Sequence, residues 1–221
     1  MSQRAVPISL ENAKKKSMKK LILFPFNGNA MEALLSLGKD TEAVCFVDDY
    51  KKNTNLERVP PIYSREAFQE FSDAKVLAVP GSPKTYLQRK ELIQGLNIAQ
   101  ARFATVIDSR AAVSPLAKIG KNVLIMAGVV VSSNAVIGDH VVILPNTVIH
   151  HDTIIGDYTL IGSNVTIPGG VKIEENCYIG SGSSLMNDVS IGKGSLIGLG
   201  STVLKSVPEN SKVAGNPARA L

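Results

Sequence analysis

The three histidines of this 221-residue chain are His140, His150 and His151. Asp152 directly follows His151, and a carboxylate beside an imidazole holds it in one tautomer and stabilises its cation. His151 is therefore the candidate general base and Asp152 its partner, with a solvated turn histidine as the alternative interpretation. Adjacent residues of an extended chain point to opposite sides, so we do not expect His150 to act with His151. His140 lies in a Gly-Asp-His turn, where we expect a solvated side chain.

A six-residue repeat contains all three histidines. Every sixth residue from Ile107 to Val203 is aliphatic, seventeen positions without a break. Helices and ordinary strands do not keep this period, which is the signature of a parallel β-helix. Three hexads make one triangular coil, so residues 18 apart stack at the interstrand spacing of roughly 4.8 Å. The first and fifth residues of each hexad point inward, and the turns favour small or polar residues because some need positive φ.

This stacking gives the candidate base a second partner. Gly169 lies 18 residues after His151, one coil away in the same column, where its backbone N–H could bind an oxygen that develops negative charge. Cys177 occupies an inward hexad position, so no exposed nucleophile is evident and direct transfer is expected. Cys177 and Cys45, which lies in an apparent strand, are interpreted as reduced core residues rather than a disulfide or metal site.

The residues before the repeat have a different composition, because most of the aromatic residues lie there. Short apolar runs of strand length alternate with helix-like segments, which indicates a small parallel sheet of Rossmann-like type. The expected strands are Leu21 to Phe26, Ala43 to Val47, Lys75 to Val79 and Arg102 to Ile107; the expected helices are Ala30 to Leu37, Ser64 to Phe71 and Pro83 to Ile93, with Ser64 and Ser82 as N-caps. We expect a leader over 1–17, a Rossmann-like domain over 18–105 and a β-helix domain with a C-terminal cap over 106–221.

Ligands of such a sheet bind at the carboxyl ends of its strands, where helix N-termini attract anions. The residues in those places are Asn27, Gly28 and Asn29 after the first strand, Asp48 and Asp49 after the second, and Gly81 and Ser82 after the third. The glycines and amides suit phosphate, and the paired carboxylates suit ribose or base hydroxyls. Each signal is also typical of an ordinary turn.

The net charge of +5 comes from the first 20 residues, which carry six basic residues and one acidic residue. A basic segment can bind nucleic acid or anionic lipid, but a disordered leader is the simpler interpretation and no nucleic-acid partner is expected. The apolar run Leu21 to Phe26 is far shorter than the roughly 18 residues of a membrane span. It is also too short for a signal-peptide core, so we expect a cytoplasmic protein.

Three segments resemble one family: Ile149 to Asp157 with its His-His-Asp, the ending Ala214-Gly215-Asn216-Pro217-Ala218-Arg219, and Phe46 to Tyr50 in the Rossmann-like part. They are similar to the sialic acid O-acetyltransferase and UDP-4-amino-sugar N-acetyltransferase family of the NeuD/PglD type. The resemblance covers residues 18–221. Its hexad repeat and Gly-Asn-Pro-Ala ending are general to hexapeptide acyltransferases, whereas the domain order and the position of His-Asp are more specific.

The resemblance implies a left-handed β-helix in a homotrimer of parallel prisms, with active sites in the grooves between subunits. It implies acetyl transfer from acetyl-CoA to a sugar amine or hydroxyl, with His151 as base, Asp152 as its partner and the Gly169 amide at the thioester oxygen. The first loop with Asp48 and Asp49 would hold the nucleotide of a UDP-sugar. The coenzyme would lie against Gly169 and the terminal residues Ala214, Gly215, Asn216, Pro217 and Arg219, and no metal is implied.

Three positions depart from the family pattern. The loop Pro25 to Ala30 lacks the several glycines and the histidine that the family usually carries there. Leu160 stands where some members have a second histidine beside the thioester, and Leu144 stands where many have asparagine.

Other functions stay open. The acceptor could be a hydroxyl of sialic acid or another sugar rather than an amine. A β-helix of this kind can also carry a trimeric zinc hydratase resembling the gamma-class carbonic anhydrases, although His140, His150 and His151 lack that family's ligand spacing. A catalytically silent module that assembles or senses sugar nucleotides is the third possibility.

Overall fold

The computed structural model describes residues 18–50 and 59–221, and the predicted leader lies outside them. The N-terminal part of the described chain is a parallel sheet with the strand order β3-β2-β1-β4. Its strands are β1 Lys19–Phe24, β2 Thr41–Val47, β3 Ile62–Tyr63 and β4 Lys75–Ala78, and its helices are α1 Gly28–Ala33, α2 Ala67–Glu70 and α3 Arg89–Gln94. Short 3₁₀ helices span Leu34–Ser36, Tyr86–Gln88 and Gln100–Arg102. The strand order reverses between β1 and β4, which is where ligands of such sheets bind.

The predicted strand from Arg102 to Ile107 is wrong. Phe103 makes a single parallel bridge, to Val76 of β4. The chain then leaves the sheet, and Val106 pairs with Leu124 in the β-helix. The apolar run is therefore divided between two hydrophobic cores instead of forming one strand.

Two predicted helices are shorter than expected. The segment 64–71 is α-helical only over α2, and Ser64 does not cap it because its hydroxyl donates to the Glu66 carboxylate. The third predicted helix begins with a turn and a 3₁₀ segment, and α3 starts at Arg89. Ser82 accepts a hydrogen bond from the backbone two residues later, at 3.3 Å, which makes it a turn residue.

Two- and three-residue strands at hexad spacing form the rest of the chain. In chain order they are β5 Val106–Ile107, β6 Ala112–Val113, β7 Lys118–Ile119, β8 Leu124–Ile125, β9 Val130–Val131, β10 Val136–Ile137, β11 Val142–Ile143, β12 Val148–Ile149, β13 Ile154–Ile155, β14 Leu160–Ile161, β15 Thr166–Ile167, β16 Lys172–Ile173, β17 Tyr178–Ile179, β18 Ser184–Leu185, β19 Ser190–Ile191, β20 Leu196–Ile197, β21 Thr202–Val203, β22 Lys212–Ala214 and β23 Arg219–Ala220.

These strands form the three faces of a left-handed parallel β-helix. Face 1 contains β5, β8, β11, β14, β17, β20, β22 and β23; face 2 contains β6, β9, β12, β15, β18 and β21; face 3 contains β7, β10, β13, β16 and β19. Parallel partners along a face are 18 residues apart through β21, as where Ile137 pairs with Ile155, and 16 apart where Leu196 of β20 pairs with Lys212 of β22. The inward aliphatic residues from Val123 to Val213 form one buried core, as the hexad register predicts.

Left-handed backbone turns recur with the same period. Every sixth residue from Asn122 to Gly200 has a positive φ. Most of these residues are Asn, Asp or Gly, which tolerate this conformation at little cost. His140 and Tyr158 also occupy it, with φ values of 62° and 60°. Each prism edge therefore carries a column of left-handed residues.

The N-terminal sheet covers face 1 of the prism. The outward residues of that face, among them Leu124, Val142 and Leu160, share one buried cluster with Leu21 and Leu77 of the sheet. The exposed outward residues of faces 2 and 3 include Thr166, Ser184, Lys118 and Lys172. No helix in the described part of the chain is long and apolar enough to cross a membrane.

Candidate active site

The turn between β12 and β13 places His151 and Asp152 on the prism edge between faces 2 and 3. His151 Nδ1 lies 2.8 Å from Asp152 Oδ2. The hydrogen bonds from His151 and then Asn134 hold the pKa of the Asp152 carboxyl below its usual value of 3.8. An ionised carboxylate can only accept a hydrogen bond, so Nδ1 carries a proton, and in the neutral imidazole Nε2 has the free lone pair. The geometry is that of a base with an orienting acid, on side chains that are 65% and 58% exposed.

Asn134 completes this arrangement, and the sequence analysis missed it. Its Nδ2 donates to Asp152 Oδ1 at 3.1 Å, so each carboxylate oxygen has its own donor. Asn134 lies 18 residues before Asp152 in the same left-handed column, and both have φ near 60°. The signal was present in the sequence, because the coil length that relates Gly169 to His151 also relates Asn134 to Asp152.

Gly169 lies directly beneath the His151 imidazole. A Cβ atom on Gly169 would be 2.6 Å from His151 Cε1 and 2.8 Å from Nε2, so a larger residue would displace the ring. Within residues 18–50 and 59–221, the backbone N–H of Gly169 has no hydrogen-bond acceptor. The next residue, Gly170, donates to the His151 carbonyl at 3.3 Å. A free amide donor and a free imidazole nitrogen thus lie in adjacent coils.

His140 is not solvated, contrary to the sequence prediction. Its side chain is 2% exposed, stacks on Tyr158 with ring centroids 4.7 Å apart and meets the edge of Phe103. Its Nδ1 lies 3.0 Å from Nδ2 of Asn122, which itself bonds the backbone of β4. Burial lowers the pKa of His140. The N-terminal part covers this turn, which hexad spacing alone does not reveal.

The first predicted nucleotide loop lies between β1 and α1. Asn27 caps the helix, since its Oδ1 accepts from the Ala30 amide at 2.9 Å. The side-chain amides of Asn27 and Asn29 both donate to the Val79 carbonyl, at 3.2 and 3.4 Å. Val79 follows β4, so these bonds cross the crevice between β1 and β4. Gly28 is the first helical residue and has free space beside its Cα.

The two predicted carboxylates after β2 have different surroundings. Asp48 is 6% exposed and accepts from the backbone amides of Phe26 and Tyr50, at 3.1 and 2.9 Å. It therefore joins the first loop at the same edge of the sheet. Asp49 forms a two-bond ion pair with Arg65, at 2.7 and 2.8 Å, and this ion pair lowers the pKa of Asp49. Asp49 thus has a partner of its own, Arg65, outside the first loop.

The third predicted loop contains Gly81 and Ser82. Gly81 has a φ of 121°, and a Cβ on it would be 2.9 Å from the side chain of Arg89. Ser82 Oγ lies 3.0 Å from the Thr85 hydroxyl. The structure therefore brings Asn27, Asn29 and Asp48 together with the segment after β4, at the carboxyl edge of the sheet.

The remaining predicted positions are distributed over the β-helix. Ala214 ends β22, Gly215 turns with a φ of 101°, the peptide between Asn216 and Pro217 is cis, and Arg219 begins the antiparallel β23. This hairpin closes the last coil beside a cavity of about 470 Å³. Leu160 and Leu144 belong to the apolar cluster under the N-terminal sheet, which accounts for their apolar character.

The two cysteines are buried in different cores. Burial raises the pKa of both Cys45 and Cys177 to about 11, so both thiols are protonated at neutral pH. Among the described residues, no three His, Cys, Asp or Glu side chains are grouped as metal ligands.

Comparison with known proteins agrees with this architecture. Residues 116–150, 134–169 and 170–205 match the family described as bacterial transferase hexapeptide (six repeats). The acetyltransferase domain of PglB from Neisseria gonorrhoeae FA1090, in complex with acetyl coenzyme A, has 25% identity and a TM-score of 0.80, over 93% of this chain and 100% of that chain. No curated protein sequence matches.

Two further solved structures share the fold. PerB from Caulobacter crescentus, in complex with CoA and GDP-perosamine, has 23% identity and a TM-score of 0.80, over 92% of this chain and 97% of its own. WeeI from Acinetobacter baumannii AYE has 24% identity and a TM-score of 0.78, over 93% of this chain and 100% of its own. The matches confirm the predicted resemblance to hexapeptide-repeat acyltransferases and the fold of an α/β domain followed by a left-handed β-helix.

Proposed function

We propose that this chain, whose residues 116–205 carry the hexapeptide repeat of bacterial transferases, is an enzyme that moves an acetyl group from acetyl-CoA to an amino group of a sugar. The observation that carries the proposal is the His151–Asp152 pair, with its free Nε2 above the unpaired amide of Gly169. The similarity to the PglB acetyltransferase domain supports the reaction and the donor substrate.

In the proposed reaction, the acceptor amine gives a proton to His151 Nε2 and attacks the thioester carbonyl carbon. Asp152 stabilises the imidazolium, because its ionised carboxylate already accepts from Nδ1. The carbonyl oxygen takes the negative charge of the tetrahedral intermediate, and the Gly169 N–H donates to it from a rigid coil. When the intermediate collapses, the C–S bond breaks and the CoA thiolate takes the proton from Nε2. The products are the N-acetyl sugar and CoA.

The prism edge that runs from His151 past Gly169 toward the C-terminus suits the long coenzyme. Gly169 and Asn187 continue the column of His151. Lys205 lies in the shortened turn after β21, about three coils from His151, or about 14 Å at roughly 4.8 Å per coil. Beside this column, Met186 and Leu204 are 54% and 51% exposed, which offers an apolar surface to the pantetheine arm. Exposed Lys205 offers its charge to the phosphates, as does Arg219 on the C-terminal hairpin. We propose that acetyl-CoA lies along this edge, against the residues from Ala214 to Arg219.

The location of the two candidate sites supports a homotrimer. In a triangular prism, the edge between faces 2 and 3 is opposite face 1, and face 1 is covered by the chain's own N-terminal sheet. A sugar held by the nucleotide loops of one chain would therefore meet His151 of a neighbouring chain. The active site would lie in a groove between subunits.

We further propose that the acceptor is a nucleotide-linked 4-amino sugar of the UDP type. The N-terminal domain, proposed as residues 18–105, would bind its nucleotide at the reversal between β1 and β4, with Asn27, Gly28 and Asn29 near phosphate. Asp48 is better placed than Asp49 to accept hydrogen bonds from the ribose or the base, because Asp49 already forms an ion pair with Arg65. Gly81 and Ser82 would line the side of this nucleotide site that lies opposite the first loop. PerB was solved with GDP-perosamine, so guanine nucleotides belong in the same test.

A thiol-release assay with acetyl-CoA tests the proposal. The acceptors would be UDP-4-amino sugars, GDP-4-amino sugars and free sialic acid, and each product would be treated with hydroxylamine, which cleaves acetyl esters and spares amides. We expect release with a nucleotide-linked amine and a hydroxylamine-resistant product. A cleavable product from sialic acid would instead indicate a sugar O-acetyltransferase. Binding of acetyl-CoA without release from any acceptor would indicate a silent module.

A further inference from the structure

A buried arginine joins the N-terminal part to the β-helix. Arg89 of α3 is 0% exposed, and no carboxylate pairs with it in the described part of the chain. Its guanidinium donates to three carbonyls, those of Tyr158 at 2.8 Å, His140 at 2.6 Å and Pro80. Burial lowers its pKa to about 9. Burying an unpaired cation is unfavourable, so a position that retains one calls for an explanation beyond packing.

On the N-terminal side, Arg89 holds the segment that follows β4. The Pro80 carbonyl accepts from its guanidinium, and Gly81 packs so closely on its side chain that a Cβ would be 2.9 Å away. The preceding carbonyl, of Val79, accepts from the first-loop side chains Asn27 and Asn29. The same three-residue segment is therefore held on one side by the first loop and on the other side by Arg89.

On the β-helix side, Arg89 binds two successive coils at the edge between faces 3 and 1. His140 and Tyr158 are 18 residues apart in one left-handed column. Strand β13 separates the Tyr158 turn from the turn of His151 and Asp152. One guanidinium thus fixes the carboxyl edge of the sheet on two coils of the prism, and so sets where the nucleotide loops stand relative to the prism as a whole.

We propose that Arg89 is a positioning residue for the acceptor: it fixes the nucleotide loops relative to the β-helix, so that a sugar bound through its nucleotide reaches the catalytic imidazole of the neighbouring chain in the proposed trimer. This inference rests on the proposed function. It predicts that loss of the three-carbonyl contact impairs acceptors that use the N-terminal loops and spares acceptors that do not. Lysine keeps the charge but lacks the planar fork that reaches three carbonyls.

The test compares two acceptors, the nucleotide-linked amino sugar and the methyl glycoside of the same amino sugar. For Arg89→Lys we expect kcat/KM for the nucleotide-linked acceptor to fall about 10- to 100-fold, the scale of a misplacement near 1 Å. We expect wild type to use the methyl glycoside more slowly because it lacks the nucleotide, and its kcat/KM should be the same in Arg89→Lys as in wild type. The dissociation constant of acetyl-CoA, measured by calorimetry, should not change.

Tyr86→Phe is the matched control. It removes another buried bond between the two parts, from the Tyr86 hydroxyl to the Gly194 carbonyl at 2.9 Å, without touching the segment after β4. The ratio of kcat/KM for the nucleotide-linked acceptor to kcat/KM for the methyl glycoside should stay at the wild-type value. Gly81→Ala provides a second variant if Arg89→Lys does not fold, because its Cβ forces the loop and the arginine apart, and it should reproduce the selective loss.

If Arg89→Lys lowered kcat/KM equally for both acceptors and also lowered the melting temperature, Arg89 would be only a structural contact and the proposal would be overturned. An unchanged ratio in folded Arg89→Lys would overturn it as well. If wild type acetylates neither acceptor, the proposed function itself fails and this inference fails with it.

Discussion

The side chains on the edge between faces 2 and 3 make a graded prediction for catalysis. His151→Ala removes the base and should lower kcat by about 10² to 10⁴, the usual range for a positioned general base. Binding of acetyl-CoA should change little, because the Gly169 amide and the apolar edge remain. The adjacent His150→Ala is the control, since His150 is exposed and lies outside the Asp152 contact, and its activity should be near wild type.

Two further substitutions test the partners without disturbing the turn. Asp152→Asn keeps a residue that tolerates the φ of 60°. In a buried triad the equivalent change costs about 10⁴, but both side chains here are more than half exposed, so solvent screens the charge and we expect a loss of roughly 10- to 100-fold. Asn134→Gly also keeps the left-handed turn and removes one exposed hydrogen bond, which should cost about 3- to 5-fold.

The assay is thiol release at saturating acetyl-CoA over a range of pH. The order of losses should be His151→Ala, then Asp152→Asn, then Asn134→Gly, and the acid limb of the pH profile should disappear only in His151→Ala. If His150→Ala were more damaging than His151→Ala, the base would be misassigned. If Asn134→Gly matched His151→Ala, the effect would come from distortion of the edge rather than from the chemistry.

Three other predictions concern the fold around the site. Burial lowers the pKa of His140 below its ordinary 6.5, so near that pH the unfolded chain binds a proton that the folded chain excludes. The free energy of unfolding should therefore decrease as the pH is lowered from about 7.5 to about 5.5. Urea unfolding of His140→Asn, which keeps the turn, should show a flatter dependence; an equally steep one would contradict the assignment. Gly169→Ala should lose activity while circular dichroism stays native, because its Cβ displaces the His151 ring, and wild-type turnover would disprove the close contact. Light scattering should give a trimer at micromolar concentration, and a monomer mass would refute the shared active site.

The sequence predicted the β-helix in detail because its signal is periodic. Seventeen aliphatic positions in register specify the coil, its length and its inward column, and the coil length then relates His151 to Gly169. The same spacing also relates Asn134 to Asp152, although the sequence analysis did not use it. Contacts within the repeat can therefore be predicted from residue number alone.

Contacts between the two parts of the chain could not be predicted in this way. Hexad spacing does not say which prism face the N-terminal sheet covers, so His140 was expected in solvent and is buried. Arg89 carries no sequence signal, since two of its three carbonyl partners, His140 and Tyr158, belong to the β-helix. The two-residue strand β3 is too short for an alternation pattern, and the run ending at Ile107 was misassigned because it serves two cores.

The regular coil also limits how such a chain can gain or lose residues. Deleting six residues would move every later residue onto the preceding face, so that His151 and Gly169 would no longer stack if the deletion fell between them. Deleting 18 would preserve every column and shorten the edge by one coil, roughly 4.8 Å. Insertions and deletions in the repeat are therefore expected in multiples of 18. Between His151 and Lys205 even those would be selected against, because the coil count there sets how long a coenzyme arm fits between base and phosphate.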